Sequence, residues 1–138
     1  MLRAVLDTNV LVSGAFWRGA SFRVLELVCV GKLGLVASPG IIAEYLRIMQ
    51  KDEVLEKTSE RQRAAALSLL HKVLFRVIVV EPETRFGAIT ADPDDDKFID
   101  AALAGKADFI VSKDKHLLCL EEFEGIEILT PEELLARI

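Results

Sequence analysis

The sequence predicts an α/β fold, a three-layer α/β/α sandwich with a mostly parallel central sheet. Two observations support this. Short apolar runs of strand length alternate along the chain with longer segments whose apolar residues recur at helical spacing. The strand segments are apolar at nearly every position, as in parallel sheets buried on both faces. The chain has 138 residues and shows no repeat, linker or low-complexity tract, so we expect one domain over 1–138.

The first half of the chain supplies most of the predicted elements. They are, in order, a strand over 4–6, a loop over 13–21, a helix over 22–29, a strand over 35–37, a helix over 39–49, a long helix from 60 and a strand over 77–80. Ser38 can cap a helix and Pro39 suits its first position. Ser59 opens the long helix, with Gln62 as its capping-box partner.

The second half continues the alternation. It predicts a turn-rich connection over 81–93, a helix that Asp94 caps or begins and Gly105 ends, a strand over 109–111, a short helix over 115–120, a strand over 126–129 and a C-terminal helix capped by Thr130. In such sheets, ligands bind beyond the carboxyl ends of the strands.

Composition limits the function classes. The net charge of −5 argues against a protein that grips nucleic acid with a broad basic face. Metal bound to clustered carboxylates would reverse the local sign of charge. No apolar run is long enough for a membrane span and the N-terminus lacks a signal-peptide pattern, so we expect a cytoplasmic protein. Cys29 and Cys119 are too far apart in sequence to form a zinc-type pair.

Acidic residues recur where predicted strands end or helices begin. Asp7 follows the first strand, Asp114 follows the strand over 109–111, and Glu44 lies in the helix after the second strand. A further cluster comprises Asp92, Asp94, Asp95 and Asp96. Hard divalent cations take oxygen ligands, so these acids are candidates for a metal site at one sheet edge. Capping or solvated helix charge is the alternative for each acid, and spacing alone does not establish that they meet.

Four segments resemble, in order, the motifs of the PIN-domain family. The segment over 7–13, DTNVLVS, is similar to the family's opening motif, and Ser38-Pro39 followed by Glu44 resembles its second acidic position. The segment over 92–102, DPDDDKFIDAA, resembles the third motif. ADFIVSKD over 107–114 resembles the fourth, with HLL following over 116–118. Together with the final strand, the resemblance covers essentially the whole chain.

The resemblance implies a parallel-sheet PIN fold and Mg²⁺- or Mn²⁺-dependent cleavage of RNA. Small members are often toxins neutralised by an antitoxin protein, and a homodimer is implied. Carried over by position, the catalytic and metal-binding acids are Asp7, Glu44, Asp95 and Asp114, with Asn9, Ser112 and Asp96 as supporting residues. Among Asp94, Asp95 and Asp96 the choice stays open. Asp95 is favoured because it shares a helical stripe with the apolar positions 98, 99 and 102.

Other interpretations are weaker. A haloacid-dehalogenase phosphatase needs an acid where Asn9 stands, and a calcium loop needs Gly at Lys97 and Glu at Leu103. A catalytically silent PIN fold that binds RNA or protein remains the alternative function. Candidate phosphate contacts, each of which could be an ordinary solvated charge, are Arg18, Arg47, Lys97, Lys113 and Lys115. Trp17 and Phe16 could pack at a dimer face or stack on a base.

Overall fold

The computed structural model describes residues 1–82 and 95–138, which build one six-stranded sheet flanked by helices. The strands are β1 (Arg3–Leu6), β2 (Gly34–Ala37), β3 (Ile78–Val79), β4 (Phe109–Val111), β5 (Glu122–Phe123) and β6 (Ile126–Leu129). The helices are α1 (Thr8–Phe16), α2 (Ala20–Cys29), α3 (Pro39–Met49), α4 (Asp52–Lys57), α5 (Glu60–Phe75), α6 (Asp96–Ala104), α7 (Lys115–Leu118) and α8 (Pro131–Arg137).

The sheet order is β3-β2-β1-β4-β6-β5, and every pairing is parallel except that of β5 with β6. This confirms the mostly parallel central sheet. The chain builds outward from β1 to β2 and β3, then returns to the other side of β1 with β4. The carboxyl ends of β1 and β4 therefore lie side by side at the point where the strand order reverses, which is where α/β sheets place their ligands.

The central strands are short and almost entirely buried. In β2 and β4 every residue is buried, and in β1 only Arg3 is partly exposed. α6 packs directly on β1, β2 and β4, while α1 packs against α2, α3 and α5. The buried apolar side chains form a single cluster within the described residues, and no helix described there is long and apolar enough to cross a membrane.

The predicted helix starts are confirmed where capping residues mark them. The Ser38 hydroxyl accepts a hydrogen bond from the Ile41 N–H, and Pro39 occupies the first position of α3. Ser59 and Gln62 form the expected capping box of α5. Thr130 caps α8 as predicted.

Helix α1 was not predicted from the sequence, and the predicted loop over 13–21 is wrong at both ends, because α1 runs from Thr8 to Phe16 and α2 begins at Ala20. Gly14 suggests a loop in the sequence, but it lies in α1 where that helix approaches α2 closely. A Cβ at this position would lie 2.7 Å from the Ser21 carbonyl oxygen. The sequence also missed α4 and the edge strand β5, and it made β3 and α7 too long. β3 and β5 contain only two residues each, too few for a periodic pattern to reveal.

Candidate functional site

The acidic pocket lies beyond the adjacent ends of β1 and β4. The Asp7 N–H donates to the Val111 carbonyl at 2.9 Å, which ties the two strand ends together. A pocket of about 170 Å³ opens there. The predicted residues that line it are Asp7, Asn9, Glu44, Asp95 and Asp114, joined by Thr8 and Lys97.

Asp7 is the most enclosed acid on the β1 side of the pocket. Its side chain is buried, and Oδ2 accepts a hydrogen bond from the Ser112 hydroxyl at 2.8 Å. The Ser112 oxygen itself accepts the Asp114 N–H at 2.9 Å, so Ser112 joins the two acids in one network. Burial raises the pKa of Asp7, and the negative charge of Asp114 raises it further; the hydrogen bond from Ser112 opposes them. The carboxylate form is therefore costly unless a cation offsets it.

Glu44 reaches the same pocket from the second turn of α3. Its carboxylate accepts hydrogen bonds from the Thr8 hydroxyl and from the Lys97 ammonium group. Burial acts to raise the pKa of Glu44. The hydrogen bonds from Lys97 and Thr8, with the charges of Lys97 and Arg47, outweigh burial and hold the pKa below its ordinary value. Glu44 is thus ionised and already paired with a cation.

The remaining acids occupy helix starts. Asp95 is the residue immediately before α6; it is buried and lines the pocket, whereas Asp96 begins α6 and does not line it. Asp114 both lines the pocket and caps α7, since its Oδ1 accepts the His116 N–H at 2.8 Å. Asp114 is therefore both the cap of α7 and a residue of the pocket. Asp92 and Asp94 lie outside the described residues.

The donor set fits a hard divalent cation in kind, since the pocket offers carboxylates and the Asn9 amide. The pKa of Asp7 is raised chiefly by burial and further by the charge of Asp114, and a nearby cation would oppose both effects. In residues 1–82 and 95–138, however, no three His, Cys, Asp or Glu side chains form a group that could hold an ion. The carboxylates accept hydrogen bonds from the protein instead: Glu44 from Lys97, Asp7 from the Ser112 hydroxyl and Asp114 from the α7 backbone. To bind an ion, some of these carboxylate side chains would have to rotate away from their present donors.

Two contacts were missed by the sequence analysis. Thr8 was part of the first motif but had no assigned role, although its place in the first turn of α1 brings it to Glu44. Lys97 was a candidate phosphate contact, and the structure places its ammonium group on Glu44. The available signal was that Thr8 directly follows Asp7 and that Lys97 lies two residues after Asp95. The partner of each, Glu44, is far away in sequence and could not be inferred.

Comparisons with known proteins agree with this architecture. The family model described as "PIN domain" matches residues 3–116. The solved structure of PAE2754 from Pyrobaculum aerophilum aligns over 99% of this chain and 88% of its own, with 20% identity and a TM-score of 0.66. VapBC2 from Rickettsia felis, bound to a DNA fragment from their promoter, aligns over 92% of this chain and 97% of its own, with 14% identity and a TM-score of 0.56.

No curated protein matches the sequence. At these identities the two solved structures show the likeness of the fold. The family match is the stronger finding, because it extends from β1 through the β4 end and into α7, and so includes every element that contributes to the acidic pocket. The chain belongs to the PIN-domain family.

Proposed function

We propose that the protein is a Mg²⁺- or Mn²⁺-dependent endoribonuclease and the toxin of a toxin–antitoxin pair. PIN domains are generally nucleases. The observation that carries the proposal is the convergence of Asp7, Glu44, Asp95 and Asp114 on one pocket beyond the ends of β1 and β4. These four acids come from segments separated by as much as a hundred residues, and helix capping alone gives no reason for them to share a pocket.

The acids would hold the metal, and Ser112 would orient Asp7 through its hydroxyl. A divalent cation supplies a water of lowered pKa and positive charge for the leaving oxygen of a phosphodiester. The exposed Asn9 amide can donate to a phosphate oxygen or to a water beside Asp7. Hydrolysis of this kind leaves a 5′-phosphate and a 3′-hydroxyl, which end-labelling of the products can identify.

The proposed antitoxin and the proposed homodimer are supported by different observations. An antitoxin is proposed because one solved neighbour is a VapBC pair. A homodimer is supported by large apolar side chains that lie on the surface, above all Phe75, which is 91% exposed. A cytoplasmic location stays a prediction of the sequence.

The test is cleavage of fluorescent RNA by the purified chain in EDTA, Mg²⁺ or Mn²⁺. We expect metal-dependent products with the wild type and with Glu56→Gln, which alters an exposed acid of α4 that does not line the pocket. Asp7→Asn should lose cleavage by at least about a hundredfold, since even residues that only support metal ligands cost 10–100-fold.

Metal binding is measured separately by Mn²⁺ titration with electron paramagnetic resonance. RNA binding without cleavage, and no Mn²⁺ bound at millimolar concentration, would favour the silent binding module instead. Cleavage that persists unchanged in Asp7→Asn would point to a contaminating nuclease and remove the basis of the proposal.

A further inference from the structure

A second concave surface lies at the far end of α1 from the acidic pocket. We call it the basic cleft; its volume is about 430 Å³. The side chains that matter here are Phe16, Trp17, Arg18 and Phe22, from the end of α1 and the start of α2, and Arg61 and Lys72 from α5.

The charge of the basic cleft is opposite to that of the whole chain. Arg18, Arg61 and Lys72 are exposed, and they are its only charged lining residues among those the structure describes. The full chain carries a net charge of −5. Three basic groups and no acid around one concavity match a polyanion, because basic side chains that neutralise phosphates supply most of the affinity for nucleic acid.

The aromatic side chains of the cleft are placed for stacking. Trp17 is the chain's single tryptophan and is 47% exposed. Its ring centre lies 5.7 Å from that of Phe16, at an angle of 50°. The Arg18 guanidinium lies 4.4 Å from the centre of the Phe22 ring, which keeps this cation next to the aromatic surface. Phe16 and Phe22 are half-buried and Trp17 is exposed, so Trp17 is the ring available to a base. An exposed ring beside basic groups is the pattern that binds single-stranded nucleic acid.

Helix α5 forms one wall of the basic cleft. Arg61, Ala65, Ser68 and Lys72 recur at spacings of four, three and four residues, which places them on one exposed face. The small side chains in the middle leave space between the two cations. The neighbouring face of α5, with Ala66, Leu70 and Val73, is buried in the core and fixes the helix in place.

The basic cleft and the acidic pocket lie at the two ends of the same helix, α1. Helix α1 begins at Thr8 in the pocket and ends at Phe16 in the cleft, a span of about 12 Å at the rise of an α-helix. Between them, the Lys113 ammonium group lies 3.4 Å from the Ser13 hydroxyl, so a further cation faces the middle of α1. A strand whose phosphate lay at the acids could follow α1 into the cleft.

We propose that the basic cleft binds the single-stranded RNA that flanks the cleaved phosphodiester, with a base stacked on Trp17 and phosphates held by Arg18, Arg61 and Lys72. This inference rests on the proposed ribonuclease function. A protein segment could also use exposed rings. The charged lining residues of the cleft that the structure describes are all basic, and α1 joins the cleft to the acidic pocket over a short distance; both features favour the RNA strand.

The lone tryptophan makes the test direct. The Asp7→Asn protein in EDTA is titrated with oligouridylates of about 4 and about 12 nucleotides, lengths within the range of known single-strand sites, while Trp17 fluorescence is recorded. We expect saturable quenching, with the longer RNA bound at least about tenfold more tightly because it offers more phosphates to the basic groups of the cleft.

Cation variants test the phosphate contacts by fluorescence anisotropy in the same Asp7→Asn background. Arg61→Gln with Lys72→Gln should weaken binding of the longer RNA and reduce the salt slope by about 1.4, since each single-strand phosphate contact contributes about 0.7. The matched control is Lys32→Gln with Lys57→Gln, which removes the same charge from exposed sites that do not line the cleft. Trp17→Ala should weaken binding by about tenfold, in line with 1–3 kcal/mol per stacked base.

Equal affinity and salt slope for the cleft and control variants would overturn the inference, as would unquenched Trp17 with saturating RNA. A Trp17 spectrum that changes with protein concentration, with a dimer mass lost in Trp17→Ala, would make the cleft an interface between copies instead. If the wild type cleaves RNA and the cleft variants bind it normally, the inference fails and the nuclease stands. If no metal supports cleavage, the nuclease fails, and the RNA titrations still report on the cleft.

Discussion

The two ends of α1 carry opposite charge. At its start, the acidic pocket combines four carboxylates with one ammonium group, that of Lys97. At its end, the basic cleft has three basic groups and no acid among the described lining residues. Separating the charges within one acidic chain allows both a cation and a polyanion to be accommodated. A net charge of −5 therefore excludes a broad basic face but not a local one.

The two regions also differ in how they are built. The acidic pocket depends on strand ends that are distant in sequence, and its central acid is buried, so its geometry is fixed and its charge is costly. The basic cleft uses exposed residues on helix surfaces, where a charge costs little. Substitutions in the pocket should therefore change folding stability and activity together, whereas those in the cleft should change RNA binding with little effect on folding stability.

The largest effect is expected at Asp7. In addition to abolishing cleavage, Asp7→Asn should raise the melting temperature near neutral pH in metal-free buffer. The folded-state pKa of Asp7 lies above its ordinary value of 3.8, so the wild type loses stability as pH rises from that value through the folded-state pKa, and the neutral amide avoids the loss. Scanning calorimetry in EDTA measures the difference in melting temperature between Asp7→Asn and the wild type. A rise of about 2–8 °C would correspond to a gain of about 1 kcal/mol in the free energy of unfolding.

Added Mn²⁺ should reverse that order, because the ion stabilises only the protein that binds it. Scans of Glu56→Gln provide the control in both buffers. A lower melting temperature for Asp7→Asn in EDTA would mean that its hydrogen bond with Ser112 outweighs the cost of the buried charge.

The acidic pocket and the basic cleft also differ in how much of each could be predicted from the sequence. Apolar runs and capping residues predicted the parallel sheet and most helix starts, since these depend on neighbours in sequence. The strand-end rule and the family motifs predicted the residues of the acidic pocket. The pairing of Glu44 with Thr8 and Lys97 could not be predicted, because it is set by the packing of three helices. The sequence singled out Trp17 and Arg18 as candidate RNA contacts, but it could not show that α5 completes a cleft with them, because Trp17 and Lys72 are 55 residues apart.

A smaller effect is expected at Tyr45, which fixes α3 to the end of β1. Its buried hydroxyl donates to the Leu6 carbonyl at 2.5 Å. Tyr45→Phe keeps the ring and removes the donor, so we expect a loss of about 1–3 kcal/mol in the free energy of unfolding. Urea denaturation measures it. Quenching of Trp17 by RNA should stay unchanged, and a change there would show that the two ends of α1 are coupled.

The Lys97–Glu44 pair should give a pH-dependent effect of about 1 kcal/mol, between the values for exposed and buried pairs. The pKa of Glu44 is held below its ordinary 4.5, so the pair's stabilisation is present above that value and is lost as pH falls through the folded-state pKa. Lys97→Met should therefore destabilise the protein at about pH 7 and much less at acid pH, once Glu44 is protonated in the folded protein. It should also tighten Mn²⁺ binding, because the pocket loses its one cation.

The matched control is Lys113→Met, which removes an exposed ammonium group whose contact is the Ser13 hydroxyl. Urea denaturation at both pH values should show little change for this variant. A Lys97→Met protein that loses the same stability at low and neutral pH would show that packing of the lysine stem, not its charge on Glu44, is what matters.

The smallest effect is expected for Arg18→Met, which removes the cation above Phe22 while keeping an apolar stem. An exposed contact of this kind contributes about 0.5–1 kcal/mol, so the change in unfolding free energy should be near the limit of urea denaturation. RNA affinity should fall more clearly than stability, because a phosphate contact is lost while the core is untouched. If stability falls by more than RNA affinity, Arg18 chiefly braces the junction of α1 and α2, and the RNA contact belongs to Arg61 and Lys72 alone.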